Sequence, residues 1–290
     1  MSVGLNWQCM QCHLNRSLDV VRGLGNDEDQ TAFTRELLNL YLTAPETANA
    51  PWLAPETSRL MNRYFGVELD RFRQEKAESN RFILERMDAI RERIRSAEDP
   101  VLAALQFSIL GNYLDFAALR QEVSFSRLDE MLADARNMAL DRETYRRFRQ
   151  ELEGAARLLY LTDNAGEIGF DRLFAEELHR AFPALEITFC VRGGVAQNDA
   201  TREDARQVGI PFPVIDNGNC IPGTQLDQLG REAREALDSA DVILSKGQGN
   251  LETLLGCGYN LYYAFLIKCG RFSDRFGLPK LTPMFLRERP

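Results

Sequence analysis

Two acid-amide pairs stand where strands should stop. "YLTDNAGEIGFD" places Asp163 and Asn164 after an apolar run, and "RGGVAQNDAT" places Asn198 and Asp199 after the next. Asp163, Asn164 and Asp199 offer two carboxylates and a carboxamide oxygen, a hard oxygen set that suits magnesium or manganese, with water or phosphate in the remaining positions. Turn chemistry would use the same residues. Asp and Asn favour turns and helix N-caps, and Glu167, three residues after Asn164, makes a capping-box spacing. The second pair, at a second strand end, shifts the balance toward a metal. A histidine-based zinc centre is excluded, since the chain has two histidines, His13 and His179, and neither is near these segments.

A third cluster, "SKGQGN", sets Lys246 beside Gly247, Gln248, Gly249 and Asn250. Glycines there let backbone N–H groups curl around an anion, and a lysine supplies a point charge for phosphate. The spacing is not that of a P-loop. Nor does "DNAGEIG" have the G-x-G-x-x-G spacing, and no acid closes "ITFCVR" to hold a ribose, which speaks against NAD and a common methyl-donor site. Lysine is scarce: of 35 basic residues only Lys76, Lys246, Lys268 and Lys280 are lysines. If arginine serves wherever any cation will do, the surviving lysines are enriched for places that need a compact ammonium.

Helices must position the other side of such a site. From about residue 17 to 153 the apolar period is helical almost throughout. The stripe Ile83, Met87, Ile90, Ile94 continues at steps of three and four through Asn80 to Lys76, so an amide and a lysine replace hydrophobes on an inward face. A second stripe, Leu105, Ile109, Phe116, includes Asn112, with Asp115 one step of three further on. Buried polar groups need partners. These faces therefore hold either private hydrogen bonds between helices or part of a site. The segment "TAPETANAPWLAPETS" reads as a Pro/Ala loop between helices.

After about residue 154 short apolar runs, "ARLLYLTD", "EITFCVR", "FPVID" and "DVILSKG", alternate with helical stretches. That alternation predicts an α/β fold with a mostly parallel sheet covered on both faces, whose ligands bind beyond the carboxyl ends of the strands. Every polar cluster named above falls at such an end. The division is residues 1–153, mainly helical and capping the site, and 154–290, an α/β/α metal- and phosphate-binding unit. With 290 residues, 44% hydrophobic and 27% charged, the composition is globular. The net charge of −8 gives no support for attraction to nucleic acid or an anionic membrane. No run reaches the length a bilayer needs, and the N-terminus lacks a signal-peptide pattern, so the expectation is a cytoplasmic protein acting on a small substrate. Six cysteines are too sparse for a disulfide framework.

"LTDNAGEIGFDRL", "NDATREDA" and "DVILSKGQGNLETL", with "KAESN" and "GNYLDF" upstream, resemble the damage-control phosphatase family over nearly the whole chain. The resemblance implies a helical N-terminal region packed on a Rossmann-like three-layer α/β/α domain, with a divalent metal (manganese, cobalt, nickel or magnesium) between them. By motif, Asp163, Asn164 and Asp199 would ligate the metal. Lys246, Gly247, Gln248, Gly249 and Asn250 would contact substrate phosphate, and Asn80, Asn112 and Asp115 would approach from the helical side. The implied activity is hydrolysis of small phosphorylated metabolites such as sugar phosphates or nucleotides. Lys76 would be a second cation over the phosphate if its helix faces the cleft. The D-x-D pattern of other aspartate phosphatases is absent, favouring activated water over an aspartyl-phosphate. A non-catalytic metal- and phosphometabolite-binding regulator, and a carboxylate methyltransferase, stand as alternatives. "CMQCH" formally fits a C-x-x-C-H haem motif or half a zinc site, but neither export nor a second C-x-x-C supports these. Cys9 and Cys12 match a family subgroup that begins with C-x-x-C; packing into the core is their plainest reading, with an accessory metal or redox role as the alternative, and His13 has no assigned place there.

Overall fold

The computed structural model describes residues 4–119 and 122–288. Among the described residues seven α-helices precede the first strand: α1 (Trp7–Val21), α2 (Asp27–Thr43), α3 (Ala50–Phe65), α4 (Arg73–Arg95), α5 (Pro100–Gly111), α6 (Phe125–Ala133) and α7 (Arg142–Gly154). Then follow β1 (Arg157–Leu161), α8 (Glu167–Ala181), β2 (Glu186–Val191), α9 (Arg202–Gln207), β3 (Val214–Asp216), α10 (Arg231–Ser239), β4 (Val242–Lys246), α11 (Gly247–Leu254), β5 (Leu261–Leu266), α12 (Gly270–Phe276) and β6 (Pro283–Glu288). The helices start where short polar side chains can take up orphan N–H groups: Asn6, Asn26, Asn49, Asp99 and Ser124 each cap one. Part of the expected Pro/Ala loop is helical. Asn49 caps α3 and Pro51 lies in its first turn, where a missing N–H costs nothing, while Pro55 sits further in and leaves the Pro51 carbonyl without its intrahelical N–H.

The strands form one mixed sheet of order β3-β2-β1-β4-β5-β6, parallel except for β6, which runs antiparallel to β5 along all six of its residues. Alternate residues of each strand serve two cores. Leu158, Tyr160, Ile187, Phe189, Val242 and Leu244 pack with α4, α5, α7 and α8. Leu159, Leu161, Cys190, Ile243, Tyr263 and Phe265 pack with α10, α11 and α12. Both faces are covered, as near-continuous apolar strands require. The change from helix to mixed elements falls where the sequence predicts, near 154, yet the first core runs across it: Ile83, Leu105 and Phe148 belong to the same cluster as Leu158 and Phe189. Only α1, α2 and α3 keep a small cluster of their own around Phe33, Leu37 and Leu60. The strand order turns back at β1 and β4, and there the carboxyl ends of neighbouring strands diverge into a crevice. No described helix is long and apolar enough to cross a membrane.

Candidate functional site

The loops beyond β1 and β2 are tied by backbone before any side chain is counted. Thr162 N–H donates to the Cys190 carbonyl (3.1 Å), Ala200 N–H to the Asp163 carbonyl (2.7 Å) and Ala165 N–H to the Asn198 carbonyl (2.9 Å). Gln197 adopts φ 55°, reversing the chain just before Asn198 and Asp199. These bonds bring the two acid-amide pairs side by side. Across the crevice, α11 opens on Gly247 at φ +79°, and a Cβ there would lie 2.0 Å from Asp163 Oδ2. Only glycine lets this helix end approach the carboxylate so closely.

Asp163 and Asp199 form part of the wall of a cavity of about 900 Å³ between the sheet's carboxyl edge and α1 and α3. Asn112 and Asn164 donate their amide N–H groups to Asp163 Oδ2 (2.9 and 2.8 Å), while Oδ1 meets, among the described residues, only the Arg192 guanidinium at 4.0 Å. Asp199 Oδ2 accepts from Arg192 Nε at 2.6 Å. Burial, then the facing Asp199 and Glu167 carboxylates, push Asp163 well above the usual carboxylate range, with Lys268 pulling it back. Burial raises Asp199 to about 6 against the opposing pull of Arg192. Carboxyl groups crowded this closely have more negative charge than the neighbouring cations offset, and a divalent cation beside the two Asp side chains would relieve it. Among the described residues no three His, Cys, Asp or Glu side chains gather to hold a metal, so the third protein donor would have to be a carboxamide. Asn164 fits that part: its Oδ1 accepts one bond, from Asn198 Nδ2 at 2.8 Å, and a carbonyl oxygen has a second lone pair.

Of the metal- and substrate-contacting residues implied by the resemblance, five line the cavity: Asp163, Asp199, Asp115, Gln248 and Gly249. The others lie behind the wall and hold it. Asn80 accepts the Gly166 N–H (2.7 Å) and donates to Asp204 and Gln207, and Lys76 pairs with Asp204 at 2.8 Å. The inward polar stripe of α4 thus makes private bonds that fix the loop after β1. Asn112 donates to both oxygens of Glu167 as well as to Asp163, and accepts the Leu266 N–H. Asn198 links Asn164 to the Leu114 carbonyl and accepts the Ala117 N–H. Asn250 spans the Thr162 and Lys246 carbonyls and accepts from Arg192 and Thr224.

Lys246 is not where a phosphate could meet it. Residues 242, 244 and 246 of β4 share one face, the face toward α5 and α8. The ammonium is fully buried there, 2.8 Å from Glu167 Oε1 and 2.6 Å from Asp171 Oδ1, and it donates to the Ser108 carbonyl. Burial lowers its pKa, but Asp171 and Glu167 outweigh that and leave it above its ordinary value. The lysine on the cavity wall is Lys268, two residues past β5, bonded to Asp115 Oδ2 at 2.7 Å and 3.9 Å from Asp163 Oδ2. Burial lowers its pKa too, while Asp115 and Asp163 restore and raise it. Scarcity of lysine pointed to Lys268 as much as to Lys246. Arg192, buried and bonded to Asp199, carried no such signal.

The amino-terminal thiols do not face the core as expected: Cys12 is exposed, and Cys9 is half-buried on the cavity wall, where Arg271 Nη1 donates to its Sγ at 2.9 Å. His13 clamps three helices, with Nδ1 2.7 Å from the Tyr41 hydroxyl and Nε2 3.2 Å from that of Thr57. Burial, aided by Arg16, lowers its pKa to about 4, so it is neutral.

Oxygen donors and a lysine gathered at the carboxyl ends of parallel strands make this an α/β protein whose crevice suits a small anionic ligand. The chain belongs to the damage-control phosphatase ARMT1-like domain family, whose pattern matches residues 6–280. It is 28% identical to a damage-control phosphatase of Pyrococcus horikoshii over 291 aligned positions, covering 98% of both chains. It is 31% identical to one of Archaeoglobus fulgidus, covering 85% of both. Its fold is similar to the crystal structure of a DUF89 family protein of P. horikoshii, with a TM-score of 0.81 at 26% identity over 99% of both chains.

Proposed function

We propose that the protein is a cytoplasmic, divalent-metal-dependent phosphatase of small phosphorylated metabolites, built as a Rossmann-like α/β/α unit with a helical region covering its crevice. The observation that carries this reading is the pairing of Asp163 and Asp199 on one cavity wall with Lys268 beside them. Asp163, Asn164 and Asp199 would hold manganese, magnesium, cobalt or nickel, and the bound cation would polarise a phosphoryl oxygen as a Lewis acid.

The chain's own groups divide the rest of the work. Lys268, aimed by Asp115, binds negative charge on the phosphoryl oxygens. The first N–H groups of α11 lack partners within the helix and point the positive end of its dipole at the same place. Such preorganised donors stabilise a phosphoryl transition state without reorganising at the moment of reaction. Arg192 holds Asp199 from behind, and Asn112 holds Asp163, so neither carboxylate swings away. Family membership and the similarity to two archaeal damage-control phosphatases support the reading.

The test is hydrolysis of a panel of sugar phosphates and nucleotides by wild type and Asp163→Asn, with each of the four metals and with EDTA. Wild type should release phosphate only with metal, and folded Asp163→Asn should release none. Full activity of Asp163→Asn under excess manganese would sink the assignment, and binding without turnover on every ester would make the protein a regulator.

A further inference from the structure

The cavity has a second polar wall that phosphate binding does not use. Glu252, on α11, lines it and is 9% exposed. Its Oε1 accepts from Gln248 Nε2 at 3.2 Å, while Oε2 is buried with no hydrogen-bond partner among the described residues. Gln248 is not free to turn over. Its Oε1 accepts the Lys268 backbone N–H at 3.1 Å, so its amide N–H groups must face Glu252 and the Cys269 thiol. One carboxyl oxygen is thereby occupied and the other is left over. Nearby on the same wall, the guanidinium of Arg271 spends a hydrogen bond on the Cys9 sulfur, a weak acceptor.

Spacing links this wall to the reaction centre. Gly247 sits against the Asp163 carboxylate, and Glu252 follows five residues later on the same helix, about 7.5 Å along its axis. That is the reach of a short carbon chain esterified to phosphate. Charge then selects what the far end of the chain can carry. Glu252 and Arg271 both line this wall, so an ammonium would pair with the carboxylate but face the guanidinium, and a second phosphate would pair with the guanidinium but face the carboxylate. A neutral hydroxyl donates to a carboxyl oxygen and accepts from a guanidinium, so it answers both groups at once.

We infer that Glu252 is a specificity-determining residue, receiving a hydroxyl at the end of the substrate remote from the phosphate, with Arg271 donating to the same hydroxyl oxygen. This rests on the phosphatase reading, and it makes polyhydroxylated phosphate esters the favoured class over those ending in an amine or a second phosphate.

Glu252→Gln keeps the size of the side chain and replaces acceptor lone pairs with N–H donors. Steady-state kinetics on a hexose phosphate and on phenyl phosphate, which lacks any hydroxyl, read the effect. KM for the hexose phosphate should rise about tenfold more than KM for phenyl phosphate, with kcat changed less than KM. An equal change for both esters, or none for either, overturns the inference. If Glu252→Gln does not fold, Glu252→Asp, which withdraws the carboxyl by one methylene, should give the same split. A second readout separates the two readings. In EDTA the hexose phosphate should raise the melting temperature of wild type, and Glu252→Gln should lose that shift while keeping the shift caused by inorganic phosphate. If that binding difference holds while no ester is hydrolysed with any divalent metal, the phosphatase reading fails and the Glu252 site stands. Hydrolysis without the difference overturns the Glu252 site alone.

Discussion

Replacing Gly247 with alanine isolates the closest approach in the site. Two costs apply. The backbone at φ +79° is in the left-handed region, which costs an L-residue about 1–2 kcal/mol. In addition the new Cβ would sit 2.0 Å from Asp163 Oδ2 and 2.1 Å from its Cγ, and non-bonded carbons rest at about 3.5 Å or more, so the carboxylate must retreat by about 1.5 Å. Retreat breaks its bonds from Asn112 and Asn164, each worth about 1.5–3 kcal/mol when the acceptor is charged. Gly258 supplies the control, because it has φ +85° and nothing within 4 Å of a built Cβ. Gly258→Ala should lose only the backbone cost of about 1–2 kcal/mol, and Gly247→Ala about 4–8 kcal/mol. Thermal unfolding reads the difference at about 2–4 °C per kcal/mol. In the folded fraction, kcat/KM of Gly247→Ala should fall about 100-fold, the effect of misplacing a reacting group by about 1 Å, while Gly258→Ala keeps wild-type activity. A Gly247→Ala protein as stable and active as Gly258→Ala would refute the argument that Asp163 is held against the start of α11.

Lys246→Met leaves Glu167 and Asp171 without their shared cation in the core, so a loss of about 3–5 kcal/mol is expected in urea unfolding, and an unchanged midpoint would contradict it. Lys268→Met should lower kcat/KM about 100- to 1000-fold, the usual effect of removing one donor to a developing charge, when assayed at saturating metal. Glu252 has its pKa raised from 4.5 to about 7 by burial. A carboxyl raised in the folded state contributes stability at pH below 4.5 that is lost as pH climbs through about 7, up to about 3 kcal/mol. Melting temperatures between pH 4 and 8 should therefore fall for wild type relative to Glu252→Gln, and parallel curves would show that the carboxyl does not titrate there.

Much of the architecture could be read from one dimension because it rests on period and punctuation. Four of the five parallel strands, their order of helices and the polar ends of β1, β2 and β4 are visible as apolar runs closed by Asp, Asn or Gly. β5 and β6 were not anticipated: "LYYAFL" is buried on both faces and lacks the flanking acid-amide signal. The direction of a side chain at a strand end was harder. Counting by twos from Val242 and Leu244 puts Lys246 on the face they bury, while Gly249 after it faces the cavity with backbone alone. Lys268 lies beyond a strand that the pattern did not reveal, so its partners Asp115 and Asp163 could not be inferred. The stripes on α4 and α5 correctly marked Asn80 and Asn112 as inward and in need of partners. Period says which face a residue is on; it does not say whether the partner is a ligand or another side chain such as Asp204.

The sheet also ends differently at its two sides. β3 is three residues long, and Arg202 crosses beside it to bond Asp216 and the Val214 carbonyl. At the other side β6 begins with Pro283, which offers no N–H, and closes with the charged pair Arg287 and Glu288. A short margin on one side and an imino acid with charges on the other give a second chain little to pair with. A crevice that opens between central strands thus sits in a sheet whose margins resist growing into another copy.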